Sequence, residues 1–248
     1  MAFASFALFA VQSLAACAPT PTPTPITLRI AATDLAAPLL FDLAAAYVEA
    51  HPRVELAPAV VPLSALEADL AAGRADLGLL VSRDPAWFAT PIGYVTFAVV
   101  VNPSNPLTSL SAAQVRAIYA GQISDWGQLG GEGGVVQPVG REEGADAERA
   151  FLSAMLPGAR FTISNNTLVA PTWEAMREAV SQDPNAIGYL PAPELDATVK
   201  PLRLDAEWRA LIVAVAVNEP AGPARDFLAW AQSEAGQAVV GERYERVK

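Results

Sequence analysis

Seven residues, Arg141-Glu142-Glu143-Gly144-Ala145-Asp146-Ala147, bring together one guanidinium, three carboxylates and a glycine. An Arg fork grips an oxyanion through parallel N–H donors. A glycine lets backbone N–H groups approach closely, and a following helix would add the partial positive charge of its N-terminus. Other polar residues stand at the ends of expected strands: Thr33-Asp34, Ser64 and Ser82-Arg83. Such a set suits reversible binding of a small solute. Bond-making chemistry is less well served. Glu142 and Glu143 are adjacent, and adjacent side chains diverge unless a turn brings them together. With one His and one Cys, an internal disulfide, a Cys-based zinc site and a His-driven catalytic site are set aside. His51, in Ala50-His51-Pro52-Arg53, reads as the turn after a helix. No P-loop or dinucleotide glycine pattern occurs; Gly130-Gly131-Glu132-Gly133-Gly134 lacks the Lys-Ser/Thr of a phosphate loop and reads as a turn. The expectation is a non-enzymatic protein without metal or cofactor.

The 248 residues suffice for one large domain or two lobes, and 52% are hydrophobic, so a sizeable core is available. Charged residues are 17% and the net charge is −10. With no Lys/Arg-rich run, a nucleic-acid partner is not expected. An acidic chain still binds an anion where backbone N–H groups and one Arg dominate the local field.

Residues 2–16 are almost wholly apolar. The run is short for a membrane span, which takes about 20 residues, and fits a signal-peptide core. It ends in Leu14-Ala15-Ala16-Cys17, which resembles the lipobox of bacterial lipoproteins. The n-region Met1-Ala2-Phe3 departs from a typical leader in carrying no Lys or Arg. Alternating Pro and Thr over residues 18–25 predict an extended tether. The expectation is a signal peptide over 1–16, lipidation at Cys17, a tether over 17–25, and an extracytoplasmic protein anchored to the cell membrane through lipid.

The elements that must position the polar residues follow from periodicity. Ile26–Ala31 alternates as a strand; 35–50 is an Ala-rich helix ending at Pro52; Val54–Val61 is a second strand. Ser64–Ala72 reads as a helix with Ser64 as N-cap and Glu67 at the capping-box spacing. Ala75–Val81 is a buried strand. This alternation implies α/β architecture with a mostly parallel sheet, whose ligand sites lie at the carboxyl ends of strands. Further strands are expected at Thr96–Val101, Val135–Gly140, Ala186–Leu190 and Leu211–Val217. Further helices are expected at Ser111–Ala120, 145–156, Thr172–Asp183 and Gly222–Ser233.

Several segments then resemble the phosphate-binding members of the periplasmic-binding-protein superfamily. Asn105-Pro106-Leu107-Thr108-Ser109-Leu110 followed by Ile118-Tyr119-Ala120-Gly121-Gln122-Ile123-Ser124-Asp125-Trp126 is similar to the family's N-P-L-x-x-L and I-F-x-G-x-I-x-x-W. Ala186-Ile187-Gly188-Tyr189 is similar to A-I-G-Y. Phe227-Leu228-Ala229-Trp230 with Ser233-Glu234-Ala235-Gly236-Gln237 is similar to F-L-x-W and S-x-x-G-Q. The resemblance implies an α/β, two-lobed type II fold with a hinge and an interlobe cleft. One lobe would comprise 26–97 plus 203–248, the other 98–202. It also implies a monomeric receptor that presents a small solute, phosphate or another oxyanion, to an ABC permease. Tyr119, Trp126 and Gly188 would be structural.

The family's anion loop reads Arg-x-Asp/Glu-Gly-Ser-Gly-Thr. Here Arg141, Glu143 and Gly144 match, while Ala145 and Ala147 replace hydroxyl residues and Asp146 replaces a glycine. In the family the position of Glu143 accepts a proton-bearing oxygen. The first loop, Ala31-Ala32-Thr33-Asp34, keeps one hydroxyl, at Thr33. Asp34 and Asp146 at helix starts would cap free N–H groups. If they face the cleft, an arriving phosphate meets like charge, at a cost of about 4 kcal/mol per contact at ~4 Å and an effective dielectric near 20. The resulting expectation is a retained fold with weak, altered or lost phosphate affinity. The alternative is a degenerate module of the same fold, serving as an extracytoplasmic sensor or binding a non-phosphate ligand.

Overall fold

The computed structural model of the chain describes residues 26–81, 85–155 and 164–247. The apolar leader, Cys17, the tether, Ser82 and Arg83 lie outside the described residues.

β1 (Ile26–Ala32), α1 (Ala37–Ala50), β2 (Val54–Val60), α2 (Leu63–Ala71) and β3 (Leu77–Leu80) open the fold. β1 pairs in parallel with both β2 and β3. Its side chains alternate between faces. Leu28, Ile30 and Ala32 pack with Leu39, Leu40 and Leu43 of α1, and Ala31 packs with Leu63, Leu66 and Leu70 of α2. α2 corrects one expectation. Pro62 holds the cap position at φ −58°, without a side-chain bond, because its fixed φ already suits a helix entry. Ser64 therefore sits inside the first turn, and the Ser64–Glu67 capping box does not form.

The chain continues through β4 (Phe88–Val101), β5 (Ser109–Leu110), α3 (Ala112–Tyr119), a 3₁₀ turn at Trp126–Leu129, β6 (Gln137–Gly140) and α4 (Asp146–Met155). β7 (Leu168–Val169), α5 (Trp173–Gln182), β8 (Ala186–Pro191), β9 (Lys200–Leu204), β10 (Arg209–Ala216), α6 (Gly222–Ala231), α7 (Glu234–Val240) and β11 (Glu245–Arg246) complete it. The main path of the sheet is β2-β1-β3-β10-β4-β8-β6-β7. β6 runs parallel to β7 and β8, whereas β10 and β4 join antiparallel. The sheet as a whole is thus mixed rather than mostly parallel.

β4 joins the two lobes of this α/β fold. Phe88–Thr96 pairs with β10, and Phe97–Val101 pairs with β8. It is longer than its apolar run predicts because Pro91 and Gly93 lie in the earlier half. A register shift opposite Ile212 and Val213 absorbs them, and the Pro91 carbonyl accepts a bond from Gln232, as expected of a bulge.

The motif residues are structural. Tyr119 and Trp126 are buried. The Tyr119 hydroxyl donates to the Val139 carbonyl at 2.9 Å, and Trp126 Nε1 donates to the Asn185 carbonyl at 3.1 Å. A Cβ at Gly188 would fall 2.9 Å from Val180 and 3.1 Å from Met176, so glycine lets α5 sit close on β8. Gln237 is buried and donates to the carbonyls of Ile92 and Ala231. His51 ends α1, its ring stacked 4.1 Å from that of Tyr47.

Candidate ligand-binding cleft

The end of β1 carries the first polar group. The Thr33 backbone N–H donates to the Leu79 carbonyl at 3.1 Å, which fixes Thr33 beside the end of β3. Its hydroxyl then donates to Asp146 Oδ2 at 2.8 Å. The Val81 backbone N–H, just past β3, donates to the same oxygen at 2.8 Å. Asp146 is the first residue of α4 and only 2% exposed. Its carboxylate therefore reaches from α4 to the ends of β1 and β3. The cap position of α1 is Ala36, without a side-chain bond, so Asp34 stands two residues ahead of it, and these two bonds of Asp146 cross between elements.

Arg141 follows β6 directly. Its backbone N–H donates to the Tyr189 hydroxyl at 3.3 Å. The side chain is 5% exposed, Nη2 pairs with Asp34 Oδ2, and the guanidinium lies 4.7 Å over the Trp173 ring. Nε and Nη1 are buried without an acceptor among the described residues. Gly144 takes φ +79°, a conformation that costs glycine little. This turns the chain into α4 and lets the Gly144 N–H donate to Glu148 Oε2 at 2.5 Å.

Electrostatics follow from burial. Desolvation raises the pKa of Asp34, Arg141 and nearby backbone N–H groups pull it back, and Glu142 pushes it up again. The Glu148 carboxyl is raised first by desolvation and further by Glu143, against the Gly144 N–H and Arg149. At the rim, Arg149 of α4 stands 3.7 Å from Glu67 of α2.

A cleft of about 360 Å³ opens beside these groups. Thr33, Asp34, Ser64, Arg141, Glu143, Gly144, Ala145 and Asp146 all border it. The fold thus gathers on one cavity every site residue expected from the sequence that lies within the described residues. Glu142, Val60, Val61 and Pro171 complete much of the wall. Sequence reasoning missed Trp173 beneath the guanidinium, the Tyr189 hydroxyl and the Val81 N–H. Tyr189 carried a signal, since it ends the A-I-G-Y segment; an N–H donor leaves no mark in a sequence. Among the described residues the arrangement offers one buried guanidinium with two unpaired donors, and a rim of carboxylates. Among the described residues no group of His, Cys, Asp and Glu could hold a metal ion.

Comparison with known proteins finds relatives of this fold. A model of the PBP superfamily domain matches residues 18–203. The phosphate-binding protein PstS of Bacillus subtilis (strain 168) is 25% identical over 99 residues, which cover 40% of this chain and 32% of that protein. The chain thus matches about a third of the length of this curated relative. An ABC-type phosphate transport receptor from Vibrio cholerae superposes with a TM-score of 0.76 at 23% identity, covering 89% of this chain and 100% of the other. A substrate-binding protein from Clostridium perfringens with bound phosphate superposes with a TM-score of 0.80 at 22% identity, covering 90% and 100%.

Proposed function

The chain belongs to the PBP superfamily, and from that premise we propose that it is an extracytoplasmic solute receptor of an ABC importer. Its cargo is a small oxyanion of the phosphate class, taken between two lobes. We read residues 26–97 with 203–248 as one lobe and 98–202 as the other, hinged where β4 and the segment before β10 cross. The reading includes a leader over 1–16, a lipid on Cys17 and a Pro/Thr tether that lets a monomeric domain reach its permease.

One observation carries the choice of ligand class. Arg141 is almost fully buried, held over Trp173, and retains two buried donors without an acceptor among the described residues. A buried unmatched cationic donor is costly, and an oxyanion in the cleft relieves that cost. Ser64 and the backbone around Gly144 would complete its contacts, and Glu143 would face a proton-bearing oxygen. Affinity is weak, because Ala145 and Ala147 bring no hydroxyl and Asp34 already holds one arm of Arg141.

The same pairing favours a second reading, a degenerate module of this fold that senses or binds a non-phosphate ligand. Calorimetric titration of the full chain with phosphate and sulfate decides between them. The receptor reading expects binding in the micromolar to millimolar range that Arg141→Gln abolishes. Absence of oxyanion binding at millimolar concentration overturns it in favour of the second reading. A sub-micromolar phosphate constant refutes the weak-affinity part.

A further inference from the structure

We propose that Asp146 is a tethered stand-in for the anion, a specificity-determining carboxylate that occupies the cleft's own donors and bolts its two sides together. The inference rests on the reading of the cleft as an oxyanion site.

Two donors that share no element, the Thr33 hydroxyl and the Val81 N–H, converge on a single oxygen, Asp146 Oδ2, at 2.8 Å each. Two N–H or O–H groups aimed at one oxygen form the arrangement a bound oxyanion needs. Here the oxygen arrives from α4 as part of the protein. Three further facts make this more than an ordinary buried carboxylate. Asp146 is 2% exposed, so water competes poorly for its bonds. The contacts link α4 to the ends of β1 and β3, and both Asp146 of α4 and Thr33 after β1 border the cleft. A second carboxylate repeats the pattern in the opposite direction, since Asp34 after β1 pairs with Arg141 after β6. Each wall thus supplies an acid to the other wall's donors.

The charge balance sets the selectivity. Arg141 shares the cleft wall with Asp34, Glu142, Glu143 and Asp146, and it already pairs with Asp34. A free oxyanion gains the Thr33 and Val81 donors only by displacing Asp146, which stays tethered nearby and repels it. A tethered group also competes at a high effective concentration. Oxyanions are therefore admitted only at high concentration.

The test compares the full-length parent with Asp146→Ala and Asp146→Asn, with folding checked by circular dichroism. Hydrogen–deuterium exchange is read at the Val81 amide without added phosphate, and inorganic phosphate affinity by titration. Exchange at Val81 should quicken by about tenfold or more in Asp146→Ala, the scale of one lost charge-assisted hydrogen bond. It should quicken less in Asp146→Asn, which keeps a neutral acceptor, while the Leu79 amide is unchanged. Phosphate should bind about tenfold or more tightly to Asp146→Ala than to the parent, with Asp146→Asn between. Val81 exchange equal to the parent's in the folded variants overturns the proposal. So does phosphate affinity equal to a measurable parent value. If Val81 exchange quickens but neither parent nor variants bind phosphate at millimolar concentration, the oxyanion reading fails and the cross-cleft bolt stands.

Discussion

The guanidinium of Arg141 lies 4.7 Å over the ring of Trp173, so this buried cation of the cleft rests on an aromatic face contributed by α5. A desolvated contact of this kind contributes about 2 kcal/mol, and Trp173 is itself buried. Trp173→Ala should lower unfolding free energy by about 3–5 kcal/mol in chemical denaturation. Trp173→Phe, which keeps a π face, should lose much less. Equal losses in the two variants would show that a retained π face contributes nothing here.

Two carboxylates should respond to pH with opposite signs. Asp34 has a folded pKa above its unfolded value, first because of desolvation. Its contribution is fully present below the ordinary carboxylate value of about 4 and is lost as pH rises through the folded pKa. In Asp76, desolvation is outweighed by its bonds to Arg29, and the folded pKa falls below the ordinary value. Its contribution is present above the unfolded value and lost as pH falls through the folded one. Stability measured against pH should therefore lose opposite slopes in Asp34→Asn and Asp76→Asn. Matching slopes in the two variants would contradict the assignment.

Gly236 marks where α6 and α7 press together. A Cβ there would stand 2.3 Å from the Trp230 carbonyl oxygen and 2.6 Å from Ala231 Cα. Backbone cannot yield as a side-chain tip can. Gly236→Ala should cost about 1–3 kcal/mol or more, read as a shifted denaturation midpoint. Gly188→Ala meets only the side chains of Val180 and Met176 and should cost less.

Lipid attachment at Cys17 is tested in cells of a lipoprotein-processing bacterium. The parent should incorporate a labelled fatty acid and fractionate with membranes, and Cys17→Ser should do neither. Membrane fractionation of Cys17→Ser unchanged from the parent would reject the anchor.

Local chemistry made much of this protein legible before folding. The Ser111 cap of α3 forms a capping box with Gln114, because its partners lie three residues apart and need no tertiary support. The alternation of β1 sorted its side chains onto two helices for the same reason. Local reading failed where a neighbour intervened. Pro62 started α2 early and displaced Ser64 from the cap, and pairing with β10 carried β4 through Pro91 and Gly93.

The sequence by itself determined the α/β order of elements, the residues standing at strand ends and the two carboxylates beside them, Asp34 and Asp146. Only the tertiary structure decided what those carboxylates meet. Asp146 lies 113 residues from Thr33 and 65 from Val81, and Asp34 lies 107 residues from Arg141. No periodicity or capping rule reaches that far. Contacts at such separation are set by how the sheets pack, because the gain from burying the two walls together fixes which side chains face each other across the cleft.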